Sequence, residues 1–334
     1  MSDKTISRRT FLKGAGAGFA LATLAGLPLS TGFAEQMLAA GEVQAPFTAG
    51  TQRPRIKVPA YACDCHHHIY NPARFPYLPE DTRNQPPGTV SDYRLLQKRL
   101  GTSRNVIIQP SAYGTDNRCT LDALDEMGSK TTRAIVVVDD SITDAELEKM
   151  HQLGVRGIRI NIASETVMDL MGTLETLSGR VNELGWHVQF WMKAEDVVTY
   201  AALLQRLPSP LVFDHLAHIP QPAGVNHPAF RVVSNLIDKG KTWIKLSGAY
   251  QDTKVGSPTY ADVTKVAQAF VKGAPERMVW GSDWPHPSIF SWRKPWPDDA
   301  QLLDLLAEWA PDEATRNRIL VDNPEVLYGF SRDI

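Results

Sequence analysis

Three consecutive histidines, residues 66–68, end a short run of residues that is typical of a β-strand. Side chains alternate along a strand, so this run divides into two faces. The two sets are Asp64, His66 and His68 on one face, and Cys63, Cys65 and His67 on the other. A single histidine is usually structural, but two imidazoles on an inward face would line the end of a sheet. We then expect the cysteines to pack against helices as small apolar residues.

A further histidine and an aspartate, His215 and Asp283, each follow another short apolar run. An ionised aspartate can take a proton from a water molecule as that water attacks a carbonyl carbon. Imidazole N–H groups can stabilise the oxyanion that forms. We therefore predict that Asp283 is the general base, with a helix N-cap as the structural alternative. The groups predicted to polarise the carbonyl are His66, His68 and His215.

The elements that must position these residues form a regular series after residue 61, in which apolar runs alternate with segments of helical periodicity. The predicted strands are residues 62–69, 105–109, 133–138, 157–161, 187–192, 211–215, 243–247 and 278–282. The predicted helices are residues 91–100, 120–128, 144–153, 167–184, 194–206, 229–239, 260–273, 299–309 and 312–320. Eight such units predict an α/β fold, a (β/α)8 barrel of the TIM type over residues 61–334. An open doubly wound sheet is disfavoured because no glycine-rich phosphate loop follows the first strand.

The ordered motifs resemble those of the amidohydrolase-related family, whose barrels carry an HxH pair on the first strand, a histidine on the sixth and an aspartate on the eighth. The matching stretches are residues 64–70 (DCHHHIY), 109–117 (QPSAYGTDN), 155–161 (VRGIRIN), 213–215 (FDH), 281–287 (GSDWPHP) and 322–324 (DNP). They are similar to the subgroup that contains 2-pyrone-4,6-dicarboxylate lactonase and galactarolactone isomerase. The resemblance implies an amidohydrolase-superfamily barrel and a lactonase-like hydrolase.

Four further residues are predicted to bind substrate. Arg159 could clamp a substrate carboxylate through two parallel hydrogen bonds, and its alternative role is a structural salt bridge. The resemblance adds Ser111, Tyr77 and Trp191 as expected pocket residues. Where the dicarboxylate lactonase carries two further arginines, this sequence has Glu165 and Gln251, so we expect a less anionic lactone.

Metal-dependent members of the family usually add a histidine at the end of the fifth strand. Here His187 begins that predicted strand, and Trp191 lies about 13 Å further along at ~3.3 Å per residue. Arg159 would repel a metal ion, so we expect no metal or other cofactor. The alternative is one divalent metal such as zinc, as in a metal-dependent decarboxylase of the same superfamily. Its ligands would be His66, His68 and Asp283.

Two other functions remain open beside hydrolysis of a lactone or other carboxylic ester. One is a sugar-lactone isomerase that moves the ring by proton transfer, and the other is a binding protein without catalysis. The formal net charge of −2 gives no bulk attraction to nucleic acid. The expected binding partner is therefore a small-molecule substrate.

The N-terminal residues predict export. Paired Arg8 and Arg9 precede a weakly apolar stretch, and a small-x-small site ends near residue 34. Residues 1–34 thus resemble a twin-arginine signal peptide, for which an uncleaved anchor helix is the alternative. We predict residues 35–60 as a tail or linker. The protein is then expected to be periplasmic or otherwise exported, with the export machinery as a second partner.

Overall fold

The computed structural model describes residues 44–161 and 172–332. Eight parallel strands form one sheet, and their order in the sheet is their order in the chain. They are β1 (Cys63–His67), β2 (Arg104–Ile108), β3 (Thr132–Val136), β4 (Val155–Asn161), β5 (His187–Trp191), β6 (Leu211–Phe213), β7 (Thr242–Leu246) and β8 (Met278–Trp280). The strands are buried on both faces, as in parallel sheets that helices cover. The predicted (β/α)8 barrel is confirmed.

The barrel closes where the chain after β8 returns to the end of β1. The backbone N–H of Asp283 donates to the carbonyl of His66 at 2.7 Å, and that of His68 donates to the carbonyl of Trp284 at 2.8 Å. Gly281 permits this approach, because a Cβ at that position would lie 2.5 Å from the Cβ of His66. Closure therefore brings Asp283 beside the paired histidines.

Helices surround the barrel, and some of the short ones lie at its two ends. They are α1 (Val90–Leu100), α2 (Arg118–Met127), α3 (Asp144–Leu153), α4 (Leu174–Glu183), α5 (Ala194–Thr199), α6 (Ala201–Arg206), α7 (Pro228–Asp238), α8 (Ala249–Asp252), α9 (Ala261–Gly273), α10 (Pro287–Trp292), α11 (Asp299–Asp304), α12 (Leu306–Trp309), α13 (Glu313–Asn317) and α14 (Asn323–Tyr328). The single helix predicted over residues 194–206 divides at Tyr200, where β-branched and aromatic residues lower helix propensity. The first part of the helix predicted over residues 167–184 lies outside the described residues.

The first strand departs from simple alternation. Between two pairing positions β1 advances three residues, from 64 to 67, while β2 advances two. The extra residue is a β-bulge, which turns the side chains after it to the other face. Asp64 therefore points away from the pocket, and Tyr93 of α1 donates to its carboxylate at 3.1 Å. The prediction that Asp64 shares a face with His66 and His68 is wrong.

The two cysteines of β1 lie inside the barrel rather than against helices. Cys63 and Cys65 pack with inward side chains of β2, β3, β6 and β8 and with Tyr328 of α14. Tyr328 packs against His187 at the start of β5, with ring centroids 5.5 Å apart, so it fills the N-terminal end of the barrel. The predicted cysteine packing was wrong because the bulge comes after Cys65 and reverses the assignment of faces.

Residues 44–60, predicted as part of a linker, lie against the barrel. The indole N–H of Trp284 donates to the carbonyl of Pro46 at 2.8 Å, and Arg99 of α1 donates to two backbone carbonyls of the segment. The predicted signal peptide, residues 1–34, lies outside the described residues. Among the helices within the described ranges, none has the length and apolar character needed to cross a membrane.

Candidate active site

His215 and Asp283 follow β6 and β8 closely and have left-handed backbone conformations, with φ of 49° and 65°. This conformation is uncommon for residues other than glycine, and it clusters at functional sites. Beside them Gly248, also with positive φ, makes room after β7, because a Cβ there would lie 2.7 Å from Nδ1 of His215. The strand ends thus present both side chains at the C-terminal mouth of the barrel, where barrel enzymes carry their active sites.

The four predicted catalytic side chains meet around one carboxylate oxygen. The Nε2 atoms of His66 and His68 each lie 3.4 Å from Oδ1 of Asp283. The Nε2 atom of His215 lies 3.8 Å from the same oxygen. These distances exceed those of ordinary N–H···O bonds, so Oδ1 has no hydrogen-bond partner among the described residues. All four side chains are buried.

The other oxygen of Asp283 is held firmly. Oδ2 accepts a hydrogen bond from the hydroxyl of Tyr250 and another from Nε2 of Gln251 at 2.9 Å. Burial raises the pKa of Asp283, but the imidazoles around it outweigh burial and hold this pKa well below its usual range. Asp283 is therefore ionised at neutral pH. Sequence reasoning missed Tyr250, which follows β7 without a recognisable spacing.

Hydrogen bonds decide which imidazoles can donate to a substrate. Nδ1 of His68 lies 2.8 Å from the carbonyl oxygen of Ile108, which can only accept, so a neutral His68 keeps its lone pair on Nε2. Nδ1 of His66 lies 3.2 Å from Nζ of Lys245, which can donate to it, and also 3.2 Å from Oδ1 of Asp214, which can accept from it, so either ring nitrogen of a neutral His66 can carry the proton. Burial lowers the pKa of His66, and it lowers that of His215 to about 4, so both rings are neutral at pH 7. His66 and His215 can therefore donate from Nε2 in a tautomer that their contacts allow, whereas a neutral His68 cannot.

A buried ionic network lies beneath these imidazoles. Oδ2 of Asp214 accepts from Arg159 and from Gln189, each at 3.2 Å, and Oδ1 lies 3.7 Å from Nζ of Lys245. Arg159 thus makes the salt bridge that was its alternative role. Burial lowers the pKa of Lys245 to about 8 against the opposing charge of Asp214. Sequence reasoning missed Lys245, although a lysine within the apolar run of β7 is a usable signal.

A pocket of about 270 Å³ opens above the cluster. Among the predicted substrate residues, Arg159, Ser111 and Trp191 line it. Tyr77 is not part of the lining, and its hydroxyl donates to the carbonyl of Gln85 at 2.8 Å. Gln251, which the sequence indicated, lines the pocket as well, and lining residues that the sequence did not indicate are Tyr70, Arg83, Asn161 and Trp292.

Comparison with known proteins gives the family. Residues 63–330 match the family model described as Amidohydrolase. This chain belongs to the amidohydrolase family. Its curated relatives include 4-sulfomuconolactone hydrolase of Rhizobium radiobacter, 35% identical over 81% of this chain and 91% of the relative. Others are 2-pyrone-4,6-dicarboxylate hydrolase of Comamonas testosteroni, 34% identical over 84% and 94%, and D-galactarolactone isomerase of Agrobacterium fabrum, 35% identical over 83% and 94%. The resemblance predicted from the motifs is confirmed.

The fifth strand of this amidohydrolase brings no histidine to the cluster. His187 lies at the opposite, N-terminal end of β5, where burial lowers its pKa to about 3. Two residues further along, Oε1 of Gln189 accepts a hydrogen bond from Lys245 at 2.7 Å. The strand therefore supports the ionic network rather than an ion in the pocket.

The donor atoms at the mouth of the amidohydrolase barrel nevertheless fit one divalent metal ion. A tetrahedral zinc with bonds of about 2.0–2.1 Å keeps its ligand atoms about 3.3–3.4 Å apart. The Nε2 atoms of His66 and His68 lie 3.3 Å apart, and each lies 3.4 Å from Oδ1 of Asp283. Oδ1 of Asp283, which has no hydrogen-bond partner among the described residues, and the lone pair on Nε2 of a neutral His68 are both suited to bind a metal ion. The prediction of a metal-free site is therefore not supported by the geometry.

Proposed function

We propose that this amidohydrolase is a lactonase, which hydrolyses the ring ester of a small lactone. The observation that carries the proposal is Oδ1 of Asp283, an ionised oxygen that lies at the pocket without a partner among the described residues. The names of the relatives, two hydrolases and one lactone isomerase, support the same chemistry.

The reaction begins when a water molecule attacks the lactone carbonyl carbon and gives its proton to Oδ1 of Asp283. The carbonyl electron pair becomes an oxyanion, to which His215 donates its Nε2–H. When the carbonyl re-forms, the ring C–O bond breaks, and Asp283 returns the proton to the departing alkoxide. The product is a hydroxy acid, and Asp283 is again ionised.

Where a divalent metal is bound, three residues would hold it, namely His66, His68 and Asp283. The ion would supply Lewis-acid polarisation of the carbonyl. Hydrogen-bond acceptors on the far side of the two histidine rings would orient them. Oδ1 of Asp214 lies 3.2 Å from Nδ1 of His66, and the carbonyl oxygen of Ile108 lies 2.8 Å from Nδ1 of His68.

The metal fit gives a prediction that needs no substrate. We expect metal-stripped protein to take up one zinc ion per chain, and the His68→Asn variant to take up none under the same conditions. Calorimetric titration would measure both. The matched control is His67→Asn, since His67 faces α1 and its Nε2 lies 2.9 Å from Asn105 rather than in the cluster. Equal zinc uptake by the His68 variant would contradict the assignment.

The pocket suits a single-ring lactone that carries an acidic group. Its volume of about 270 Å³ is below the ~300–1,000 Å³ of sites for drug-sized ligands. Arg159 and Arg83 bring guanidinium groups to its wall, and Trp191 adds an aromatic surface. We assign Arg159 to the substrate carboxylate. Glu165 and Gln251 were the two residues from which a less anionic lactone was expected. Gln251 lines the pocket, and Glu165 lies outside the described residues.

Product analysis in heavy-oxygen water tests the proposed function. A panel of sugar lactones and carboxylate-bearing lactones should yield ring-opened hydroxy acids, each with one solvent oxygen in its new carboxylate. Hydrolysis requires this incorporation because the attacking oxygen comes from water. An isomeric lactone without solvent oxygen would instead favour the isomerase, and no turnover of any lactone would contradict the proposal.

We also propose, from residues 1–34 alone, that the protein is exported through the twin-arginine machinery to the periplasm or beyond. The paired arginines are the group that such a route recognises. Fractionation of cells that make the full chain, with Arg8 and Arg9 intact or replaced by lysine, tests this, and equal export of both would contradict it.

A further inference from the structure

A second set of buried polar side chains leads from Asp283 away from the pocket. The hydroxyl of Tyr250 in α8 donates a hydrogen bond to Oδ2 of Asp283. Nδ1 of His286 lies 3.1 Å from the hydroxyl oxygen of Tyr250, and Nε2 of His286 lies 3.1 Å from Oδ2 of Asp299. All of these side chains are buried. We call Tyr250, His286 and Asp299 the support chain.

The protons in the support chain can be counted. Three contacts join Asp283 to Asp299, and each contact needs one proton. The ionised Asp283 brings none, and Tyr250 brings one, which it donates to Oδ2. The pair of His286 and Asp299 must then bring the other two protons, one for each contact that His286 makes. Because the single hydroxyl proton of Tyr250 goes to Asp283, Nδ1 of His286 donates to the hydroxyl oxygen, and this hydrogen bond strengthens the Tyr250 O–H as a donor.

The support chain is separate from the substrate pocket. The described lining of the pocket includes none of its three residues, whereas it includes Gln251, the other donor to Oδ2. Its far end is anchored by the segment before the barrel, because the backbone N–H of Asp299 donates to the hydroxyl of Thr48 at 3.1 Å. Removing a member of the chain therefore leaves the substrate contacts in place.

We propose that the support chain positions the catalytic carboxylate: by holding Oδ2 it keeps Oδ1 turned toward the substrate. Tyr250, His286 and Asp299 are thus positioning residues that act through Asp283. The proposal rests on the proposed function, because it takes Asp283 as the general base. It also gives a role to the residue 281–287 motif, in which His286 follows the base by three positions.

A double-mutant cycle tests the proposal on the full chain. Tyr250→Phe should lower kcat roughly 10- to 100-fold, the loss typical of a hydrogen bond to a charged group, with KM changed less than about 3-fold. Asp299→Asn should lower kcat roughly 3- to 10-fold in the wild-type background. In the Tyr250→Phe background it should lower kcat less than about 2-fold, because the hydrogen bond that joins the support chain to Asp283 is already lost. Equal losses from Asp299→Asn in both backgrounds would overturn the proposal, as would losses confined to KM.

The control is Tyr328→Phe, which also removes a buried hydroxyl. That hydroxyl has no hydrogen-bond partner within the described ranges and lies at the other end of the barrel, so kcat should stay unchanged. A fall in kcat equal to that of Tyr250→Phe would mean that loss of any buried hydroxyl has this effect, and it would overturn the proposal.

A second readout needs no substrate. The buried proton between Tyr250 and Asp283 should give a proton NMR resonance downfield of the amide region. The resonance should be absent from Tyr250→Phe, and Asp299→Asn should shift it. If wild-type protein opened no lactone, the proposed function would fail, yet this resonance would still decide whether the chain is coupled. A resonance that Asp299→Asn leaves unmoved overturns the support chain alone.

Discussion

Replacing Asp283 with asparagine should lower kcat by ~10²–10⁴-fold, the range over which general base catalysis contributes. Asparagine keeps the shape of the side chain and can still accept from Tyr250 and Gln251, but its amide cannot take a proton from water. KM should change little, because Arg159 and the pocket wall remain. Steady-state kinetics on the best lactone of the panel would measure both constants.

The matched control for Asp283→Asn is Asp122→Asn, which removes a carboxylate that pairs with Arg74 at the surface. It should leave kcat unchanged. Circular dichroism should show that both variants are folded. If the Asp283 variant kept more than about a tenth of the wild-type kcat, the general base would be another group.

The second large effect concerns stability. Asp214→Asn should lower the free energy of unfolding by about 3–5 kcal/mol, the typical cost of breaking a buried ion pair. The reason is that Lys245 and Arg159, both buried, would lose the carboxylate that balances their charge. Chemical denaturation at neutral pH would measure the loss.

A double variant distinguishes lost charge balance from poor packing at this site. Adding Lys245→Met to Asp214→Asn should recover part of the stability, because it removes one of the uncompensated cations while keeping an unbranched chain of similar length. The pair Arg74–Asp122 again provides the comparison, and Asp122→Asn should change the stability little because the pair is at the surface. Further loss in the double variant, rather than recovery, would contradict the charge argument.

The barrel and its four central side chains could be predicted because the topology of a parallel barrel determines where the ends of its strands lie. In a parallel barrel all strands end at the same face, so polar residues that follow the first, sixth and eighth strands must meet there. Arg159, on the fourth strand, was also predicted, as a clamp for a substrate carboxylate. Its salt bridge to Asp214 was the alternative, and the structure shows that it makes this bridge and lines the pocket as well.

Other features could not be predicted, for local reasons. The bulge in β1 adds one residue without a sequence signal, so the faces of Asp64 and Cys63 were reversed. Tyr250 and His286 lie in connections after β7 and β8, where no periodicity specifies the path of the backbone. Lys245 is different, because its place in an apolar strand marks a buried charge that must have a partner.

A crystal structure of the Asp283→Asn variant with an unreacted lactone tests the central arrangement most directly. We expect the lactone carbonyl carbon to lie beside the side chain at position 283, with the carbonyl oxygen toward Nε2 of His215 and the ring against Trp191. A lactone bound only at the rim beside Trp292, with its carbonyl turned away from the imidazoles, would contradict the account.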